Sequence, residues 1–148
     1  MTHIARSIII DAPVSEVFDY ASQWTRWEDW FEGVSGFRSL SEIEKGNGAK
    51  FAYRARMMGV AMPLEAEIYD FVRNEGWASR GTKGMPYISR WIFREKGDRT
   101  EFTYELDYEF RIPVIGKLLD RKFVIPEWEN ILERSLLNLK HIFEKASA

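Results

Sequence analysis

Between residues 101 and 110 the chain alternates without a break. Glu101, Thr103, Glu105, Asp107 and Glu109 interleave with Phe102, Tyr104, Leu106, Tyr108 and Phe110. Successive side chains of a β-strand point to opposite faces, so this run has one face for water and one for a core. Strands of that kind belong to antiparallel sheets, because parallel sheets are covered on both faces. The same period in 49–58 puts Phe51, Tyr53, Ala55 and Met57 on one face, with Ala52, Arg54, Arg56 and Met58 on the other. Turn signals at Gly46-Asn47-Gly48, Asn74-Glu75-Gly76, Gly84-Met85-Pro86 and Lys96-Gly97-Asp98 separate extended runs. These fall at about 37–44, 49–58, 62–73, 76–82, 87–95 and 100–111.

Different periods flank this meander. Residues 3–10 are rich in β-branched side chains and read as a first strand, stopped by Asp11-Ala12-Pro13. Val14, Val17, Phe18 and Ala21 then mark a short amphipathic helix. Thr25-Arg26-Trp27-Glu28 has the form of a capping box and predicts a second short helix, with Trp27, Trp30 and Phe31 on one face. At the far end Trp128, Leu132, Leu136, Leu139 and Phe143 form a helical stripe, continued upstream by Leu118, Leu119 and Phe123. Pro126 should kink or interrupt that helix, since it removes a backbone donor. The expected fold is α+β. A curved antiparallel sheet of six to seven strands is covered by a long C-terminal helix, with two short helices after the first strand. Residues 1–148 make one domain, with no repeat and no linker to divide them.

Composition narrows the chemistry. There is no cysteine, which removes disulfides, thiolate metal sites and a Cys nucleophile. The two histidines, His3 and His141, lie near the ends of the chain and suit no nucleophile–base triad. Gly46-Asn47-Gly48 lacks the third glycine and following helix of a dinucleotide site. Glu42/Glu44 and Glu65/Glu67 each share one strand face and read as solvated surface. No metal site and no cofactor is expected. A net charge of −2 with scattered arginines argues against nucleic-acid binding. No segment resembles a secretory signal or reaches the roughly 20 apolar residues of a membrane span, so a cytoplasmic protein without stable membrane insertion is expected. The alternation of apolar and basic residues in 112–125 reads as a helix start, with contact to an anionic membrane surface as the other reading. A homodimer is compatible with these features.

The aromatic count is the unusual quantity: 10 Phe, 6 Trp and 6 Tyr. A wide twisted sheet curls, and one helix cannot fill its whole concavity. The remaining volume is either packed by aromatic side chains or left as a pocket lined by them. Trp27 and Trp30 of the second short helix, Tyr53, Met57, Trp77, Trp91, Tyr104 and Tyr108 of the strands, and Leu132 and Leu136 of the C-terminal helix are the candidate lining. The tyrosines bring polar tips that suit a partly hydrated cavity orienting an amphipathic ligand. Met57, Met58 and Met62 around Gly59 suit an adaptable mouth. Arg54, Arg56 and Arg90 are strand arginines; one facing inward would anchor a carboxylate or enolate oxygen, while on the outer face they would pair with glutamates.

Several segments resemble a known family. Ser7-Ile8-Ile9-Ile10-Asp11-Ala12-Pro13-Val14-Ser15-Glu16-Val17-Phe18-Asp19-Tyr20 is one, followed by Trp30. Ile112-Pro113-Val114-Ile115-Gly116-Lys117-Leu118-Leu119 and the ending Ser135-Leu136-Leu137-Asn138-Leu139-Lys140-His141-Ile142-Phe143-Glu144 are the others. Together they resemble the START-like (SRPBCC, helix-grip) superfamily, of the polyketide cyclase/dehydrase and lipid-transport type, over essentially the whole chain. The resemblance implies a helix-grip fold and a hydrophobic small-molecule ligand: a lipid, isoprenoid, quinone or polyketide. It does not choose a reaction, because one fold hosts many functions. Binding or carriage of such a ligand is the first expectation. A cyclase, aromatase or dehydratase using the same pocket is the alternative, and a regulator or membrane/quinone-complex partner module the third.

Overall fold

A computed structural model describes residues 2–57, 59–109 and 120–147 of the chain. Seven strands form one sheet: β1 (Thr2–Ile10), β2 (Val34–Ser39), β3 (Lys50–Met57), β4 (Val60–Val72), β5 (Gly76–Lys83), β6 (Tyr87–Lys96) and β7 (Arg99–Tyr108). Their order across the sheet is β1-β7-β6-β5-β4-β3-β2, and every neighbouring pair is antiparallel. Helix α1 (Val14–Ala21) and a 3-10 helix (Trp24–Asp29) lie between β1 and β2. A π-helical turn (Asp120–Val124) leads into the long helix α2 (Ile125–Ser147).

The alternation in 101–108 is realised residue by residue. Phe102, Tyr104, Leu106 and Tyr108 are buried, while Glu101, Thr103, Glu105 and Asp107 are half-exposed. The α2 stripe is buried likewise at Trp128, Leu132, Leu136 and Leu139. Full burial of a leucine side chain such as Leu132 stabilises the fold by about 1.5–3 kcal/mol. Polar bonds fix where the helix lies. Arg6 on β1 pairs with Glu129 and Glu133, and Arg134 donates to Glu32 at 2.6 Å. Asn138 donates to the Trp30 carbonyl at 3.1 Å, and the Glu32 amide donates to Ser135 Oγ at 2.9 Å. The buried Thr100 hydroxyl donates to the Ala12 carbonyl at 2.8 Å and ties the start of β7 to the β1–α1 turn. At Gly76 φ is +145°, and a Cβ there would overlap the Trp91 carbonyl oxygen. Only glycine lets β5 begin against β6.

Three sequence expectations need correction. The strand expected at 37–44 pairs instead as Val34–Ser39, with a register shift between Ser35 and Arg38. Ser41 Oγ then bonds the Ile43 carbonyl and the Lys50 amide, which holds 40–49 as a turn. The capping box at Thr25 does not form: the 3-10 helix starts at Trp24 behind Gln23 with no side-chain cap. Phe123 is 49% exposed and leaves the helical stripe, because it lies in the π-helical turn, where the period differs. Pro126 stands where the π-helical turn Asp120–Val124 gives way to α2 at Ile125, so the regular helix is interrupted where the sequence loses a backbone donor. Met58, Phe110, Ile112, Ile115, Leu118, Leu119 and the rest of 110–119 lie outside the described residues, as does the Met57 side chain.

Candidate functional site

The concave face of the sheet is filled mainly by rings. Trp27 stacks on Trp91 with centroids 4.5 Å apart, and Trp91 stacks on Trp77 at 4.8 Å. Phe18 of α1 meets Phe71, Trp77 and Phe93 edge-on. Trp24 stacks on Phe51 at 5.2 Å. Such ring pairs add about 0.5–1.5 kcal/mol each beyond the area they bury. This half of the interior, next to α1, is packed solid.

Toward the other end of the concavity the packing opens into a cavity of about 50 Å³. Trp27 and Phe31 line it from the 3-10 helix and the residues after it, Val34 and Phe37 from β2, Tyr53 and Ala55 from β3. Leu64 of β4, Ser79 of β5 and Met85 of the β5–β6 turn follow. Tyr87, Ser89 and Trp91 of β6, Tyr104 and Leu106 of β7, and Trp128 of α2 close it. Val34, Phe37, Tyr53 and Met85 are only half-buried and form the mouth. The volume is well below the roughly 300–1,000 Å³ of sites that enclose a drug-sized ligand. A ligand larger than a few waters must therefore displace side chains, for which Met85 at the mouth has the rotatable bonds.

The lining is apolar except for one cluster of hydroxyls. Tyr53 and Tyr87 share a hydrogen bond of 2.5 Å, and Ser79 and Ser89 share one of 3.1 Å. The Trp91 indole donates to Ser89 Oγ at 3.3 Å. Burial pushes the Tyr53, Tyr87 and Tyr104 hydroxyls above the ordinary tyrosine range. For Tyr53 the proximity of Tyr87 adds to the rise, whereas hydrogen bonding to Tyr53 and Ser79 moderates it for Tyr87. All three stay protonated near neutral pH and act as hydrogen-bond donors, not bases. Among the described residues that line the cavity none is Asp, Glu, His, Lys or Arg. Arg54, Arg56 and Arg90 are exposed, so no inward arginine anchor is formed by them. Among the described residues no group of His, Asp and Glu is placed to hold a metal ion.

Of the ten residues singled out in the sequence, Trp27, Tyr53, Trp91 and Tyr104 come together around the cavity. Trp30, Trp77, Tyr108, Leu132 and Leu136 are buried in the hydrophobic core and are not among the residues around the cavity. Sequence reasoning missed Tyr87, Ser89, Ser79 and Trp128 as lining. Tyr87 and Ser89 lie four and two residues before Trp91 on one strand face, and Ser79 lies two after Trp77. Period-2 counting from the tryptophans would have found them. Trp128 falls on the helical stripe, which by its period alone is assigned to the core.

The family profile described as polyketide cyclase / dehydrase and lipid transport matches residues 1–144. The chain belongs to this family. No match was found among curated proteins. The structure of TTHA0849 from Thermus thermophilus superposes with a TM-score of 0.85 at 22% identity, covering 99% of this chain and 100% of that one. A START superfamily protein from Mycobacterium smegmatis gives a TM-score of 0.78 at 15% identity, covering 97% and 98%. The Zhui aromatase/cyclase from Streptomyces sp. R1128 gives 0.72 at 17% identity, covering 99% and 93%. At these identities the likeness is one of fold: the helix-grip arrangement of START-like proteins. Among the described residues no helix is long and apolar enough to cross a membrane.

Proposed function

We propose that this family member binds or carries a hydrophobic small molecule between the sheet and α2, in the cavity bounded by Trp27, Tyr53, Trp91, Tyr104 and Trp128. The observation that carries the reading is the lining itself: aromatic and aliphatic walls with one uncharged hydroxyl cluster. Apolar burial supplies affinity, and the hydroxyls orient one polar end of the ligand. The aromatase/cyclase neighbour suggests catalysis as the second reading. Three protonated tyrosines can donate to a carbonyl oxygen, but no described lining residue supplies a base, so binding is favoured.

The test is thermal unfolding and calorimetric titration with representative fatty acids, isoprenoids, quinones and aryl polyketones. A ligand at 100 times its Kd should stabilise the fold by about 2.7 kcal/mol. Ala55→Leu, which fills the cavity, should abolish that gain. Absence of stabilisation by every class, or a gain that survives Ala55→Leu, would overturn the reading.

A further inference from the structure

We propose that Tyr104 is the specificity-determining residue of the cavity: its hydroxyl, together with that of Ser89, seats one oxygen of the ligand, a carbonyl or a hydroxyl group. This rests on the reading of the cavity as a ligand site.

Five hydroxyls belong to the lining residues, and four of them are joined in pairs. Tyr53 bonds Tyr87 at 2.5 Å, and Ser79 bonds Ser89 at 3.1 Å. The Trp91 indole donates to Ser89 as well. Tyr104 Oη is the one left out: among the described residues no hydrogen bond of good geometry reaches it. Side-chain polar atoms without a partner are of two kinds here. The indole nitrogens of Trp30, Trp77 and Trp128, and Asn74 Oδ1, are closed to a water-sized sphere, so a ligand does not meet them. Tyr104 Oη is not closed in that way, and the open space beside this otherwise buried residue is the cavity.

Ring packing holds that hydroxyl in place. Tyr104 stands opposite Trp91 across β6 and β7 and meets it edge-on at 79°, with centroids 5.1 Å apart; the Phe31 ring lies 5.5 Å away. A group fixed before binding costs little to order when the ligand arrives. Ser89 lies on the same inward face of β6, two residues before Trp91. Its hydroxyl is near enough to ease loss of the Tyr104 proton, while Tyr87 opposes that loss. Two hydroxyls this near that share no hydrogen bond leave a place for an oxygen that bonds both. Water fits that place, and a ligand must match its bonds to displace it without loss. Each hydroxyl donates or accepts, so a ketone and an alcohol both qualify. A hydrocarbon strips the water and returns nothing, which leaves a buried polar group unmet.

Acetophenone, 1-phenylethanol and ethylbenzene have nearly one shape and differ in that oxygen. Tyr104→Phe removes the phenol oxygen and keeps the ring. By calorimetric titration it should weaken the ketone and the alcohol about fivefold, the order of one modest hydrogen bond, while ethylbenzene binds the variant at least as tightly as the wild type. Tyr53→Phe, at the mouth, should leave the acetophenone/ethylbenzene ratio near its wild-type value. As a readout that needs no variant, the carbonyl stretch of isotopically labelled acetophenone bound to the wild-type protein should lie below its position in hexane. Equal losses of ketone and hydrocarbon on Tyr104→Phe, an equal response to Tyr53→Phe, or a carbonyl band at its hexane position would each overturn the proposal while leaving hydrophobic binding intact. So would a protein that binds other hydrophobic ligands but none of these three. If no ligand of any class binds, both readings fall together.

Discussion

The hydroxyl cluster ties the stability of this fold to alkaline pH. In the unfolded chain each tyrosine ionises near its usual value of about 10. In the folded protein burial holds Tyr87 and Tyr104 protonated to higher pH. Their contribution is therefore whole below pH 10 and is lost as the pH climbs from 10 toward the folded values. A group that keeps its proton through all of that window lowers stability by about 1.4 kcal/mol per pH unit, because the unfolded state has released a proton that the folded state keeps. Tyr104, 6% exposed, holds its proton through this window and sets a slope of about 1.4 kcal/mol per unit, which Tyr87, 7% exposed, steepens. Tyr53, half-buried at the mouth, adds to this but is screened by solvent. A small domain holds only about 5–15 kcal/mol in all, so one pH unit consumes a substantial share. Urea unfolding followed between pH 9 and 11.5 measures the slope, and ultraviolet absorbance of tyrosinate reports ionisation in the native state. Tyr104→Phe should flatten the slope by about 1.4 kcal/mol per unit, and Tyr87→Phe should flatten it as well. Buried phenols that ionise near pH 10 in a protein still folded, or slopes identical in wild type and both variants, would refute the reasoning.

Two further outcomes follow from the fold. Gly76→Ala sets a methyl against the Trp91 carbonyl where backbone cannot yield cheaply, so the protein should be recovered unfolded or with its melting transition lowered far more than by Gly97→Ala, where nothing lies within 4 Å of the added carbon; comparable melting curves for the two would show that β5 can re-register. Arg6→Ala removes the pairs to Glu129 and Glu133, which are about one-third to one-half exposed, so the loss should be about 1 kcal/mol at low salt and smaller at 1 M salt when read by denaturant midpoint; a loss independent of salt would mean that Arg6 acts through packing instead.

Much of the architecture was legible because period is a local property. Alternation in β3 and β7 and the α2 stripe depend only on which face is wet, and Tyr104, Leu106, Leu132 and Leu139 fall where the period puts them. The miss at 37–44 has a local cause of another kind: serine hydroxyls at Ser39 and Ser41 bond nearby main chain and turn it out of the sheet. The cavity was harder to place. Period tells that Trp30, Trp77, Tyr87 and Tyr104 face inward but not how far along the concavity each sits. That depends on where α1 and α2 are pinned, by contacts such as Arg6–Glu129 and Asn138–Trp30 that join residues more than a hundred positions apart. Tyr87 and Ser89 were within reach of period-2 counting, whereas the unpaired indole of Trp128 emerges only when every neighbouring acceptor is known.

An open sheet of seven strands leaves two edges, and an exposed edge can recruit a strand from another molecule. Here the two ends are blunted differently. β1 packs against α2, with Arg6 drawn onto the helix. β2 is six residues long, breaks register between Ser35 and Arg38, and has Gly36 at φ +69°. A short, kinked strand carrying a cationic side chain offers a poor template for stacking. The same irregularity that displaced β2 from its expected position thus works against edge-to-edge polymerisation in a chain unusually rich in aromatic residues.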